Sequence, residues 1–252
     1  MTGQHRTHWS VGTDHARRGL QVLVGTSVMG IGVALLVRAE SGLVPTDILH
    51  VGLATRAGWS VGAGIITVQT ALLVLGLALR IRPGIGTVAG VVIPGLTCNG
   101  ALDVLSPATT LWQRGEFWTS GAAAFAVGAA LYLAAGLGAN PRDGLMLKIS
   151  AGTGLPVGRV RVVLDAATLI VGVAIAGPIT AVHQGLIGIG SIPLVFLTGP
   201  AIQLLLRLLR FAPPRAAGAG THLDHRFEPP PAHDGVEPAR SDPHGDVDSG
   251  SV

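Results

Sequence analysis

The 252-residue chain is 48% apolar and only 12% charged, with a formal net charge of +3. A soluble domain carries about a quarter charged residues, so this composition excludes an ordinary water-soluble protein and points to one that crosses a membrane several times. The basic balance does not indicate nucleic acid, because the arginines flank apolar runs as topology signals rather than forming a patch.

In chain order, residues 1–18 form a polar leader. The first apolar run, 19–37, exceeds a signal-peptide core and has no small-x-small site at its end, so it reads as a membrane helix. Further runs follow at 61–79, 84–102, 120–137, 157–176 and 185–206. At 1.5 Å per residue each can cross a hydrocarbon core of about 30 Å. The six runs fall into blocks 19–104 and 120–210, joined by an outer loop at 105–119. From 211 to 252 the chain is rich in Pro, Gly and Asp and reads as a disordered cytoplasmic tail. Its histidines, His222, His225, His233 and His244, match no zinc spacing. Cys98 lies in an apolar run and reads as a packing residue.

Charge sets orientation. With six crossings and the N-terminus in the cytoplasm, 14 of the 17 Lys and Arg fall on the cytoplasmic side, and only Arg38, Arg56 and Arg114 fall outside. This predicts a multi-pass protein of the bacterial inner (plasma) membrane with both termini inside. Trp59, Trp112 and Trp118 fall at the outer boundary, where indoles favour the headgroup region.

The sequence also repeats. "GLVPTDIL" at Gly42 and "GANPRDGL" at Gly138 share the frame G-x-x-P-x-D-x-L. A shift of 96 residues makes 11 of the 31 positions from 32 to 62 identical, including Gly42/Gly138, Pro45/Pro141, Asp47/Asp143 and Gly58/Gly154. After about eight extra residues in the second block, Gly84-Ile85-Gly86-Thr87 pairs with Gly188-Ile189-Gly190-Ser191, Gly95 with Gly199, and Asn99 with Gln203. Each copy holds three spans, and an odd number of crossings reverses the second copy. The fold expectation is therefore an all-α polytopic protein of six transmembrane helices, built as two inverted three-helix repeats. Between its first two spans each repeat carries a short segment that starts at Pro45 or Pro141 and stops at Gly58 or Gly154. Such a segment suits a helix too short to span, hence re-entrant or interfacial. The spacings Gly58-x-x-x-Gly62 and Gly154-x-x-x-Gly158 give the helices that follow a small face for close packing.

Polar residues inside the apolar runs mark a candidate substrate or ion pathway: Asp47, Asp143, Asp165, Gln69, Asn99 and Gln203. Each has a structural alternative. Asp47 and Asp143 suit a helix N-terminus, Asp165 can pair with Arg161 four residues earlier, and Asn99 and Gln203 can bond between helices. His50, three residues beyond Asp47, reads as an exposed interfacial histidine, with an Asp/His proton pair as the other option. There is no Walker loop, G-x-S-x-G frame or metal-spaced cluster, so no enzymatic activity, metal or cofactor is expected.

The paired frames, with "GIGVALLVRAESGLVPTDILHVGL", "GLGANPRDGLMLKIS" and "GIGS…TGPAIQLLL", resemble the YczE/YitT-type bacterial integral membrane proteins over residues 19–208. The resemblance implies an inner-membrane protein, some of whose relatives are associated with secondary-metabolite production, and it implies no agreed site residues. In the first copy Leu96 stands where the second has Pro200. Two functions follow as expectations. One is a transporter-like permease for a small solute or ion. The other is an accessory or scaffold that supports a membrane-protein partner without moving solute. In both, the bilayer is the surrounding partner.

Overall fold

The computed structural model describes residues 9–208. The expected tail and its four histidines, and the start of the leader, lie outside the described residues. The described chain is helical: α1 Trp9–Ala39, α2 Pro45–Ala57, α3 Val61–Ala78, α4 Ile85–Val104, α5 Leu111–Ala135, α6 Pro141–Thr153, α7 Val157–Ala176, α8 Pro178–His183 and α9 Ser191–Leu208.

Five of these are long and apolar enough to cross a membrane: His15–Ala39 within α1, then α3, α4, α5 and α9. The sixth expected span, α7, has the length but carries Arg159, Arg161 and Asp165. Boundaries moved where local chemistry outweighs hydropathy. α1 begins ten residues before the apolar run. α5 begins at Leu111, inside the expected outer loop, because Thr110 and Gln113 form a reciprocal capping box. The last span begins at Ser191 rather than 185. Pro178 opens the unforeseen α8, and Gly185 turns the chain at φ 63°.

The two short segments do form helices of 13 residues each. Proline starts each one, and Gly58 (φ 69°) and Gly154 (φ 71°) end them in the left-handed region. Gly42 (φ 115°) and Gly138 (φ 130°) bend the chain before each helix.

Small residues let the helices touch. A Cβ on Gly25 would sit 2.7 Å from the Tyr132 nitrogen, and one on Gly32 would sit 2.6 Å from the Phe125 nitrogen. This seam joins α1 to α5. α4 packs on the other side of α1, and α9 packs on α5. α2 lies against α7 and α3, and α6 lies against α3 and α7. Buried Leu36, Ile48, Val51, Ala176, Ala181 and Leu194 knit α1, α2, α7, α8 and α9 into one apolar cluster, and Val33, Ala34, Ile65 and Cys98 knit α1, α3 and α4 into another.

The loops before the short helices are held crosswise. The Gly190 amide, at the start of α9, donates to the Ser41 carbonyl at 2.8 Å, and the Gly86 amide, at the start of α4, donates to the Leu137 carbonyl at 2.9 Å. Trp118 is partly buried against the first cluster, with its indole nitrogen directed at Gly190. Trp59 and Trp112 are well exposed.

Candidate functional site

The first turn of α2 supplies Thr46 and Asp47, and its second turn supplies His50. Proline at N1 fixes the helix start, and the Asp47 and Ile48 amides turn back onto the Val44 carbonyl at 2.9 and 3.1 Å. A residue three positions after Asp47 shares its face. That face is buried, because α2 lies between α3 and α7. A Cβ on Gly64 would meet the His50 carbonyl at 2.3 Å, and one on Gly52 would meet the Gly172 carbonyl at 2.8 Å. His50 is therefore 3% exposed and Asp47 4%, with His50 Nδ1 3.1 Å from Asp47 Oδ1. This corrects the expectation of an exposed interfacial histidine. The short helix was expected at the interface, whereas close glycine contacts on both sides enclose it.

On α3, which packs against α2, Gln69 is 7% exposed, as is Thr46 on α2. Four atoms in this region have no hydrogen-bond partner among the described residues: Thr46 Oγ1, Asp47 Oδ2, His50 Nε2 and Gln69 Oε1.

The equivalent positions in the second copy are filled differently. Arg142, where the first copy has Thr46, donates through Nη2 to Asp165 Oδ1, where the first copy has Gln69. Arg161 Nε stands further off, 3.8 Å from Asp165 Oδ2. The foreseen i,i+4 partner of Asp165 is thus the lesser one. The signal for Arg142 was present in the repeat: the second residue of each short helix and the ninth residue after Ser60 or Pro156 are paired positions. Asp143 is partly buried beside this pair. Burial raises its pKa, and the Arg142 and Arg161 charges act against that rise. Burial likewise lowers the pKa of Arg142, opposed by Asp143 and, more weakly, by Asp47. The carboxylates at the tips of α2 and α6 therefore act on the same guanidinium. Tyr132 OH, Asn140 Oδ1 and Arg142 Nε are further buried atoms without partners among the described residues.

The other two candidates sit elsewhere. Asn99 Oδ1 accepts from the Gly62 amide at 2.8 Å, and its Nδ2 donates to Ser60 Oγ at 2.9 Å, so its amide ties α4 to the start of α3. Gln203 is exposed on α9. A separate cavity of about 720 Å³ is lined almost wholly by apolar side chains of α2, α7 and α9, including Ile48, Leu169, Val173, Val195 and Phe196. Among the described residues, no group of three His, Cys, Asp or Glu could hold a metal ion.

With five apolar spans and this buried polar centre in view, the chain can be compared with known proteins. The model of a family described as "Family of unknown function (DUF6198)" matches residues 16–207. The chain belongs to this family. Relatives include an uncharacterized protein of Haemophilus influenzae, 28% identical over 211 residues, which cover 82% of this chain and 93% of the relative. Another is the uncharacterized membrane protein YczE of Bacillus subtilis, 29% identical over 203 residues, 77% of this chain and 90% of the relative. The YczE-type resemblance carried by the proline–aspartate frames is thereby borne out, and the family is one of membrane proteins. No solved structure matches the chain.

Proposed function

We propose that this family member is a secondary-transporter-like permease for a small solute or ion, built from two inverted repeats, with α7 as the sixth crossing and both termini cytoplasmic. The reading rests on one asymmetry. α3 and α4 are sealed at their outer ends. A Cβ on Gly62 would lie 2.1 Å from the Gly95 carbonyl, and Asn99 bonds Ser60 and the Gly62 amide across the seam. The equivalent residues on α7 and α9 are not sealed. Among the described residues nothing lies within 4 Å of a Cβ on Gly158, and the atoms nearest a Cβ on Gly199 are those of the Arg161 guanidinium, at 3.3 Å and beyond. A repeat pair with one seam shut and its counterpart open is what alternating access needs: the shut seam seals the outside, and the open one leaves the polar centre reachable from the cytoplasm. The crosswise bonds Gly190–Ser41 and Gly86–Leu137 support the repeat symmetry, and the arginine distribution supports its orientation.

Asp47, Asp143, Asp165 and Gln69 form the pathway centre in this reading, and Asn99 works in the outer seam. Flux into proteoliposomes, measured over a broad solute panel, tests the proposal. A disulfide between Gly158→Cys and Gly199→Cys, in a Cys98→Ala background, should arrest the flux, and reduction should restore it. No flux for any solute, with a membrane protein that co-purifies stoichiometrically, would replace this reading with the accessory or scaffold role.

A further inference from the structure

We infer that Thr46, Asp47 and Gln69 bind one alkali-metal cation, the coupling ion of the transport cycle proposed above. Three oxygens carry the inference: Thr46 Oγ1, Asp47 Oδ2 and Gln69 Oε1. Each belongs to a side chain more than nine-tenths buried, and none has a hydrogen-bond partner among the described residues. An unpaired buried polar atom costs about 1–3 kcal/mol, and a carboxylate oxygen costs more. The amides of the α2 tip do not relieve them, because those of Asp47 and Ile48 are committed to Val44. Among the described residues no Lys or Arg side chain bonds Asp47 directly, although the Arg142 guanidinium acts on it from further off, and His50 covers only Oδ1.

The hairpin of α2 and α3 brings the three residues to one level. α3 returns along α2 after the turn at Gly58, with Gly64 against the His50 carbonyl. Gln69 lies five residues further along α3, toward the α2 tip that carries Thr46 and Asp47.

The second repeat indicates what belongs between them. At the positions equivalent to Thr46 and Gln69 it has Arg142 and Asp165, and there the guanidinium bonds the carboxylate. One copy of the device thus carries a covalently attached cation. The other offers a hydroxyl, an amide oxygen and a carboxylate, which are hard oxygen donors with a single negative charge. That set suits an alkali cation better than Ca²⁺ or Mg²⁺, which draw on several carboxylates or retained waters. His50 Nδ1 stands 3.1 Å from Oδ1, which leaves Asp47 Oδ2, Thr46 Oγ1 and Gln69 Oε1 each with lone pairs to offer a cation.

The test uses the purified full-length protein in nanodiscs, with thermal unfolding followed at constant ionic strength and pH in NaCl, KCl or choline chloride. NaCl or KCl should raise Tm saturably above the choline value. Asp47→Asn should abolish that rise. The double variant Thr46→Arg/Gln69→Asp, which copies the pair of the second repeat, should unfold at one temperature in all three salts. Equal wild-type Tm in the three salts overturns the inference. So does a response to pH with none to cation identity, which would make Asp47 and His50 a proton site. Cation binding without solute flux leaves this site standing and removes the transport reading, whereas flux indifferent to Na⁺ and K⁺ does the reverse.

Discussion

The amide of Gly190 donates to the carbonyl of Ser41 at 2.8 Å, so the start of the last helix holds the loop that leads into the first short helix. Gly86 and Leu137 make the matching bond at 2.9 Å from the other side of the repeat. Each short helix is thus positioned by the half of the protein it does not belong to. Glycine is needed here for close approach. A Cβ on Gly190 would lie 2.3 Å from Trp118 Nε1 and 2.6 Å from the Ser41 oxygen, whereas one on Gly86 would meet the Leu137 oxygen at 3.0 Å.

Gly190→Ala should therefore cost more stability than Gly86→Ala, with overpacking of about 1–3 kcal/mol at Gly190. Thermal unfolding of the two variants in one detergent checks the order. Equal losses would show that the Trp118 contact gives way freely.

The Arg142–Asp165 pair should behave as a coupled unit. Both side chains are largely buried, so Arg142→Met alone leaves Asp165 with only the distant Arg161. A loss of about 2–4 kcal/mol is expected for either single change, Arg142→Met or Asp165→Asn, and the double variant should lose less than the sum. A double-mutant cycle on unfolding free energy gives the coupling directly.

Much of this was legible in the sequence. Hydropathy located the helices, and the shift of 96 residues located both short helices with the correct proline starts and glycine stops. What escaped were features that depend on three-dimensional approach. His50 looked exposed because it is a polar residue on a helix too short to span the membrane. Its burial comes from Gly64 and Gly172 on other helices. Arg142 looked like a topology charge, yet its side chain reaches Asp165, 23 residues away. Of the two readings of Asn99, a pathway group or a bond between helices, the structure shows the bond, which ties α4 to the start of α3. The span at 185–206 was misplaced because Gly185, Gly188 and Gly190 are apolar by composition but serve the turn and the close contact with the Ser41 loop.

Asp143 gives a pH dependence with a definite sign. Burial raises its pKa, so the folded state holds the proton to higher pH than the unfolded chain does. The stability this contributes is complete below the unfolded carboxyl value, near 4, and is lost as pH rises through the raised folded value. Asp143→Asn stays neutral throughout. The Tm of the wild type should therefore fall relative to this variant as pH rises from about 4, and the two should differ least at the acid end. A gap that widens instead toward acid pH would show that the Arg142 and Arg161 charges outweigh burial.

The unequal seams predict a separation of stability from function. At Gly62 a methyl group would run into the Gly95 carbonyl at 2.1 Å, so Gly62→Ala should loosen the α3–α4 seam and lower Tm. At Gly158, the equivalent position on α7, the space is open, and alanine suits a helix better than glycine by about 0.5–1 kcal/mol. Gly158→Ala should thus leave Tm unchanged or raise it. If α7 and α9 close on one another during each cycle through Gly158 and Gly199, as α3 and α4 do through Gly62 and Gly95, a larger side chain at Gly158 should block that closure. Gly158→Val should then fold normally in the resting protein and lose most solute flux in proteoliposomes. A Gly158→Val protein that is stable and transports at the wild-type rate would show that the α7–α9 gap never closes, and the alternating mechanism would have to be abandoned.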